Sequence, residues 1–197
     1  MRCKWDRMAE AVLLSSWIWG FTIAFSGQLI VSSAFAEDSF ALSAKAFPLI
    51  CPSAIFEPNK LDNMMKKRGF AETDRDGDAE SEVVSYTQAK TNLSFEFGGS
   101  PRGAPRKEIW NCSLFLQQPT PIEQLDAMFE NLTRDPRLSG LRKLPVKPSA
   151  GLARIMANHE TKEGCLSLDF MSFDTPHQKT TQLLLGRTST PCKDVNR

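Results

Sequence analysis

The sequence predicts an α+β domain, with two helices packed on an antiparallel sheet and two disulfides, lying behind an N-terminal export segment. Three observations carry this reading. Apolar residues alternate with polar ones in several short runs, the period of half-buried strands. One segment, Ile122 to Leu132, repeats apolar residues at helical spacing. Four cysteines lie beyond residue 36 with no two of them close together.

The N-terminus has the order of a secretory signal. Arg2, Lys4 and Arg7 make a basic start. An uncharged run of 26 residues follows, from Ala11 to Ala36, and it ends on Ala34-Phe35-Ala36, the small-x-small pattern that signal peptidase accepts. The same run is long enough to span a bilayer, so an uncleaved anchor is the alternative. Residues 1–36 are therefore read as signal or anchor, 37–50 as a lead-in with at most a short helical turn, and 51–197 as a single domain.

Charge narrows the partners. The chain holds 24 Lys+Arg and 23 Asp+Glu. Three of the basic residues and two of the acidic ones precede residue 37, which leaves 21 of each and no net charge. That balance argues against a nucleic-acid partner. It also gives no reason to expect attraction to a membrane surface, so a membrane enters only if the N-terminal segment is retained.

Cys51, Cys112, Cys165 and Cys192 are an even set in an exported chain, which reads as two disulfides. Zinc sites are normally built from close ligand pairs. The separations here are 61, 53 and 27 residues, so no metal is expected.

The elements follow in order. Leu61, Met64 and Met65 lie on one helix face after Pro58, with Lys66, Lys67 and Arg68 at the favourable end of the dipole and Gly69 as the stop. Residues 72–82 are acidic and read as a solvated turn around Asp76-Gly77. An EF-hand counted from Asp74 fails, because its sixth and twelfth positions are Ala79 and Ser85 instead of Gly and Glu. Val83 to Thr87 suits a strand, and Leu93, Phe95 and Phe97 form a clearer one. Residues 98–107, rich in Gly and Pro, cannot be the interior of a strand or helix. Trp110, Cys112, Leu114 and Leu116 then share the apolar face of the next strand.

Thr120-Pro121-Ile122-Glu123 has the form of a capping box with Pro at the first helical position. It opens the second helix, whose stripe is Ile122, Leu125, Met128, Phe129 and Leu132 and whose stop is set by Pro136. After a loop over 136–151, strands are expected at 152–158, around Leu166, Leu168 and Phe170, and at 181–186. The order also admits an αββ-type duplication. If the strand after Cys165 folds back on 181–186, the residue opposite Cys165 falls near Thr188. Cys165–Cys192 is then reachable, and Cys51–Cys112 is the remaining pair.

Chemistry is scarce. No nucleophile elbow, phosphate loop or zinc-protease helix motif occurs. His159 has no partner that the sequence identifies, and 21 acidic residues make any choice of catalytic carboxylates arbitrary. No catalytic, cofactor-binding or metal residue is assigned, and no cofactor is expected. The one candidate contact is the basic loop with Arg102, Arg106 and Lys107, suited to an anionic glycan, a lipid headgroup or an acidic protein. Three Asn-x-Ser/Thr sequons begin at Asn92, Asn111 and Asn131. The basic start and Ala-Phe-Ala ending look bacterial, a context in which those sequons are not used. The expected function is a periplasmic or secreted, non-enzymatic domain that binds an envelope protein, glycan or lipid component. A small envelope hydrolase and a membrane-anchored accessory subunit are the alternatives.

Overall fold

The computed structural model describes residues 31–100, 104 and 108–192, with side chains from Phe40 onward. The expected signal segment therefore lies, up to residue 30, outside the described residues. The chain is a mixed α+β fold dominated by one sheet. Helix α1 (Val31–Phe56) leads through a 3-10 turn (Pro58–Lys60) into the short α2 (Leu61–Lys67). Strands β1 (Ala71–Gly77), β2 (Glu82–Gln88), β3 (Leu93–Gly99) and β4 (Ile109–Leu116) form a meander. Helix α3 (Ile122–Leu132) is followed by a second meander of β5 (Arg142–Lys143), β6 (Leu152–Thr161), β7 (Gly164–Asp174) and β8 (Lys179–Thr188). All eight strands belong to one antiparallel sheet in the order β1-β2-β3-β4-β8-β7-β6-β5. The order is symmetric about the β4–β8 pair, and each half has four strands instead of the two or three expected.

Among the described residues there are three α-helices, not two. The lead-in expected over 37–50 is helical throughout, and α1 crosses Pro48 and Pro52 without ending. Proline normally breaks a helix interior because it lacks an amide hydrogen and crowds the preceding turn. Burial outweighs that cost here. Phe47, Ile50, Cys51, Ala54 and Ile55 are all buried, on a stripe of helical period. Phe47 meets Phe170 edge to face, with ring centroids 5.6 Å apart, and Cys51 is bonded to Cys112 of β4. Burial of a large apolar side chain contributes about 1.5–3 kcal/mol. Several on one face offset the roughly 3 kcal/mol attached to an internal proline.

The sheet's inner face carries the core. Phe95 and Phe97 of β3, Cys112 and Leu114 of β4, Leu183 and Leu185 of β8, Leu168 and Phe170 of β7, and Ile155 and Ala157 of β6 are all buried. Phe95 stacks on Phe97, and Phe70 and Tyr86 meet them edge to face. Helix α3 adds Leu125, Met128, Phe129 and Leu132, while Ile122 is left exposed at its start.

Two local expectations are corrected. Residues 71–77 are an edge strand, and the turn comes later, at Asp78–Ser81, where the Asp78 carboxylate accepts the amide hydrogens of Glu80 and Ser81. The β1 charges are used on both sides. Arg75 bonds Glu72 at 2.8 Å and Glu82 at 2.5 Å, and the acidic edge discourages further strand pairing. The capping box does not form. Pro121 occupies the N-cap position, with no side-chain cap. Thr120 is buried instead, in a cluster of hydroxyls. Thr181 Oγ1 lies 2.9 Å from the Gln118 carbonyl, 2.9 Å from Thr120 Oγ1 and 3.2 Å from Ser172 Oγ. Its single proton goes to the carbonyl, which can only accept, and Ser172 Oγ also takes the Thr120 amide hydrogen at 2.7 Å.

Candidate functional site

Both cysteine pairs are cross-linked: Cys51 to Cys112, and Cys165 to Cys192. The first ties α1 to the central strand β4. The second ties the segment after β8 back to the start of β7, where Cys165 faces Thr188 in the strand register. Paired cysteines are the state expected in an oxidising, extracytoplasmic compartment. No single helix among the described residues is long and apolar enough to cross a membrane.

The two ends of the central β4–β8 pair differ. At one end Leu116 faces Thr181, and the hydroxyl cluster of Thr120, Ser172 and Thr181 seals the seam. At the other end the register stops at Asn111–Gly186. β4 nevertheless starts two residues earlier, at Ile109, and β8 runs two residues further, to Thr188. The strands part there, and a groove of about 840 Å³ opens between them, floored by the end of α1 at Ile55 and Phe56.

Trp110 stands on this groove because of a β-bulge. Gly98 faces Asn111 and Gly99 faces Ile109, so Trp110 is an extra residue with no opposite number on β3. Simple alternation places Trp110 on the inner face with Cys112 and Leu114. The bulge instead puts Ile109 inside, at 5% exposure, and Trp110 outside, at 38%. Bulges commonly re-aim a side chain in this way. Two glycines make it fit: a Cβ on Gly99 would lie 2.2 Å from the Glu108 carbonyl oxygen, and one on Gly98 would lie 2.7 Å from Asn111 Oδ1.

The surrounding groups are polar and paired. The Trp110 indole N–H donates to Glu108 Oε2 at 3.4 Å. Arg187, at the end of β8, forms an ion pair with Glu163 from the β6–β7 turn. That turn needs Gly164, whose φ is +130° and whose Cβ would lie 1.9 Å from the Thr188 carbonyl oxygen. Thr188, Ser189 and Thr190 complete the wall, held by the nearby Cys165–Cys192 link.

Arg102, Arg106 and Lys107 lie outside the described residues. Their loop leaves the sheet beside the groove: the Ser100 amide donates to the Glu108 carbonyl at 2.9 Å, and the Glu108 amide donates to Ser100 Oγ at 2.8 Å. His159 is not among the residues that line the groove. It faces Leu166 across the strand pair and packs against Gly140, where a Cβ would lie 2.4 Å from its Nε2. Asn111 spends its amide oxygen on the Gly98 N–H. Among the described residues no group of three His, Cys, Asp or Glu is placed to hold a metal ion. The carboxyl groups whose pKa is clearly displaced, Glu57, Asp78 and Asp135, are all lowered by hydrogen bonds, from Lys60, from backbone amides and from Arg137 respectively. None of the three lines the groove.

The sequence reading missed Trp110, Glu108, Glu163 and Arg187 as a group. The signal that was present is the Gly98-Gly99 pair following the Leu93, Phe95, Phe97 alternation, since glycine inside a strand pattern often marks a bulge. Comparison with protein-family models, characterised proteins and solved structures finds no match to this chain.

Proposed function

We propose that this protein is an exported, non-enzymatic binding domain of the bacterial cell envelope, acting in the periplasm or after secretion. Its contact site is the groove where β4 and β8 part. The observation that carries the reading is Trp110, a large aromatic side chain turned outward by a bulge that two glycines make room for. Exposed aromatic side chains beside concave, polar surfaces are a common feature of binding sites. The basic residues Arg102, Arg106 and Lys107 belong to a loop rooted beside the same groove, and the partner is an envelope protein, glycan or lipid component. The two disulfides and the signal-like N-terminus support export; a retained N-terminal segment would make the domain a membrane-anchored subunit.

The test is co-sedimentation of the full chain with an isolated envelope fraction. The expected result is retention that Trp110→Ala reduces at least tenfold. Equal retention of both proteins, or no retention of either, refutes the assignment. A second reading, hydrolysis of envelope material, draws on Glu108 and Glu163 lining one groove. It is less favoured because Glu163 is paired with Arg187 and Glu108 accepts the indole N–H. Solubilisation of envelope material that is lost in Glu108→Gln would favour it.

We also read the symmetric strand order as a duplicated unit of one helix and four strands, with β4 and β8 as equivalents. Failure of residues 71–116 to superpose on 142–188 would remove that reading.

A further inference from the structure

We infer that the groove at the parted ends of β4 and β8 is a saccharide subsite, with one sugar ring stacked on the Trp110 indole and its hydroxyls bonded to Glu108, Glu163 and Arg187. The inference rests on the binding function proposed above and names the ligand class. Four features of the groove lead to it.

First, the placement of Trp110 is not what packing favours. The in-phase position would bury the indole, and burial of an aromatic side chain is worth several times a surface contact. The bulge forgoes that burial and disrupts the β3–β4 ladder locally. What it yields is a flat apolar plate at the mouth of a polar groove. A pyranose has the matching surface, with C–H groups on its faces and hydroxyls around its edge.

Second, the plate is held in orientation. The indole N–H is directed to the Glu108 carboxylate at 3.4 Å, and the Glu108 backbone is tied by two hydrogen bonds to Ser100 at the base of the hairpin. A ring pinned through its edge keeps its face available for stacking.

Third, the polar groups suit vicinal hydroxyls. A carboxylate accepts two hydrogen bonds in one plane, and a guanidinium donates them in one plane. Arg187 and Glu163 stand together as such a pair, beside the hydroxyls of Thr188, Ser189 and Thr190. A diol can take a donor from one and an acceptor from the other.

Fourth, the charge fits a neutral ligand. Arg187, the cation of the described wall, is offset by Glu163, so that wall offers no unpaired positive charge to a phosphate or a nucleic acid. The volume of about 840 Å³ lies within the range of about 300–1,000 Å³ for small-molecule sites.

The chain allows a direct test, because its other tryptophans are Trp5, Trp17 and Trp19. In the full chain carrying Trp5→Phe, Trp17→Phe and Trp19→Phe, all tryptophan emission comes from Trp110. Cellotetraose, chitotetraose and maltotetraose are titrated into this protein up to millimolar concentration, the weak-binding range. The expected result is a saturable change in emission with at least one of the three. Arg187→Gln on the same background should weaken it about tenfold. In calorimetry with that sugar, Trp110→Ala should abolish the heat and Trp110→Phe should keep most of it, with circular dichroism showing that each variant is folded. A silent titration with all three sugars, or binding unchanged in Trp110→Ala, overturns the saccharide assignment. If the envelope fraction nevertheless retains the protein through Trp110, only the ligand class has failed; loss of that retention too would refute the binding function itself.

Discussion

The amide hydrogen of Gly98 bonds the side-chain oxygen of Asn111 at 2.7 Å, directly beside Trp110, the extra residue that the bulge turns outward. The contact gives a polar partner to a strand position where the bulge has disturbed the ladder. Asn111→Ala should cost about 1 kcal/mol in denaturant unfolding, the usual worth of one such bond. Gly99→Val should cost more, roughly 1–3 kcal/mol, because its Cβ would lie 2.2 Å from a backbone oxygen. Both should shift Trp110 emission in the folded protein on the background lacking the other tryptophans. Unchanged emission in Gly99→Val would show that the bulge does not depend on this glycine.

The two disulfides should fail differently. Chain-entropy arguments assign about 4 kcal/mol to the 61-residue separation of Cys51 and Cys112 and about 3.5 kcal/mol to the 27-residue separation of Cys165 and Cys192. Location separates them further. Cys51 and Cys112 are in the core between α1 and β4, so Cys51→Ser with Cys112→Ser should lower global stability by several kcal/mol. Cys165 and Cys192 anchor the wall that holds Thr188, Ser189 and Thr190. Cys165→Ser with Cys192→Ser should weaken the envelope retention proposed above, at temperatures where the fold is intact. Retention equal to that of the parent protein would sever the link between this disulfide and the groove.

Tyr86 is the only tyrosine and is buried. Burial, and then the hydrogen bond from its hydroxyl to Asp62 at 2.7 Å, raise its pKa well above the usual value. A raised folded value means that the stabilising contribution is full below the unfolded pKa of about 10 and is lost as pH rises through the folded value. Phenolate absorbance should therefore stay absent somewhat above pH 10 and appear together with alkaline unfolding. A smooth titration near pH 10 in the folded protein would contradict the burial. Tyr86→Phe should cost about 1–2 kcal/mol and remove this alkaline limb.

The hydroxyl cluster at the sealed end of the β4–β8 seam predicts an unusual threonine. Thr181→Val keeps the shape but removes the donor to the Gln118 carbonyl and the contacts to Thr120 and Ser172. A loss of about 1–3 kcal/mol is expected, the cost of leaving buried polar partners unsatisfied. Thr120→Ala should behave like Thr181→Val, and the double variant should cost less than the two singles added, because both act on one network. Strict additivity would place Thr120 in an independent role such as helix capping.

What the sequence determined by itself is whatever depends on short-range periodicity. Leu93, Phe95 and Phe97, the Leu166 to Phe170 strand, and the stripe from Leu125 to Leu132 alternate or repeat with the period of their element, and that period follows from backbone geometry alone. The hairpin register that sets Cys165 opposite Thr188 is equally local, since one short turn fixes it. Tertiary structure decided the rest. Helix α1 persists through Pro48 and Pro52 because its buried face meets β4, β7 and β8, distant in the chain. Thr120 gives up its helix cap because Ser172 and Thr181 are brought to it from strands β7 and β8. The candidate site is the clearest case. Trp110 points outward because of a bulge, and the bulge fronts a groove because β4 and β8, the last strands of their two meanders, meet at the centre of the sheet and part at one end. Such pairing joins residues about seventy positions apart, and no local period encodes it.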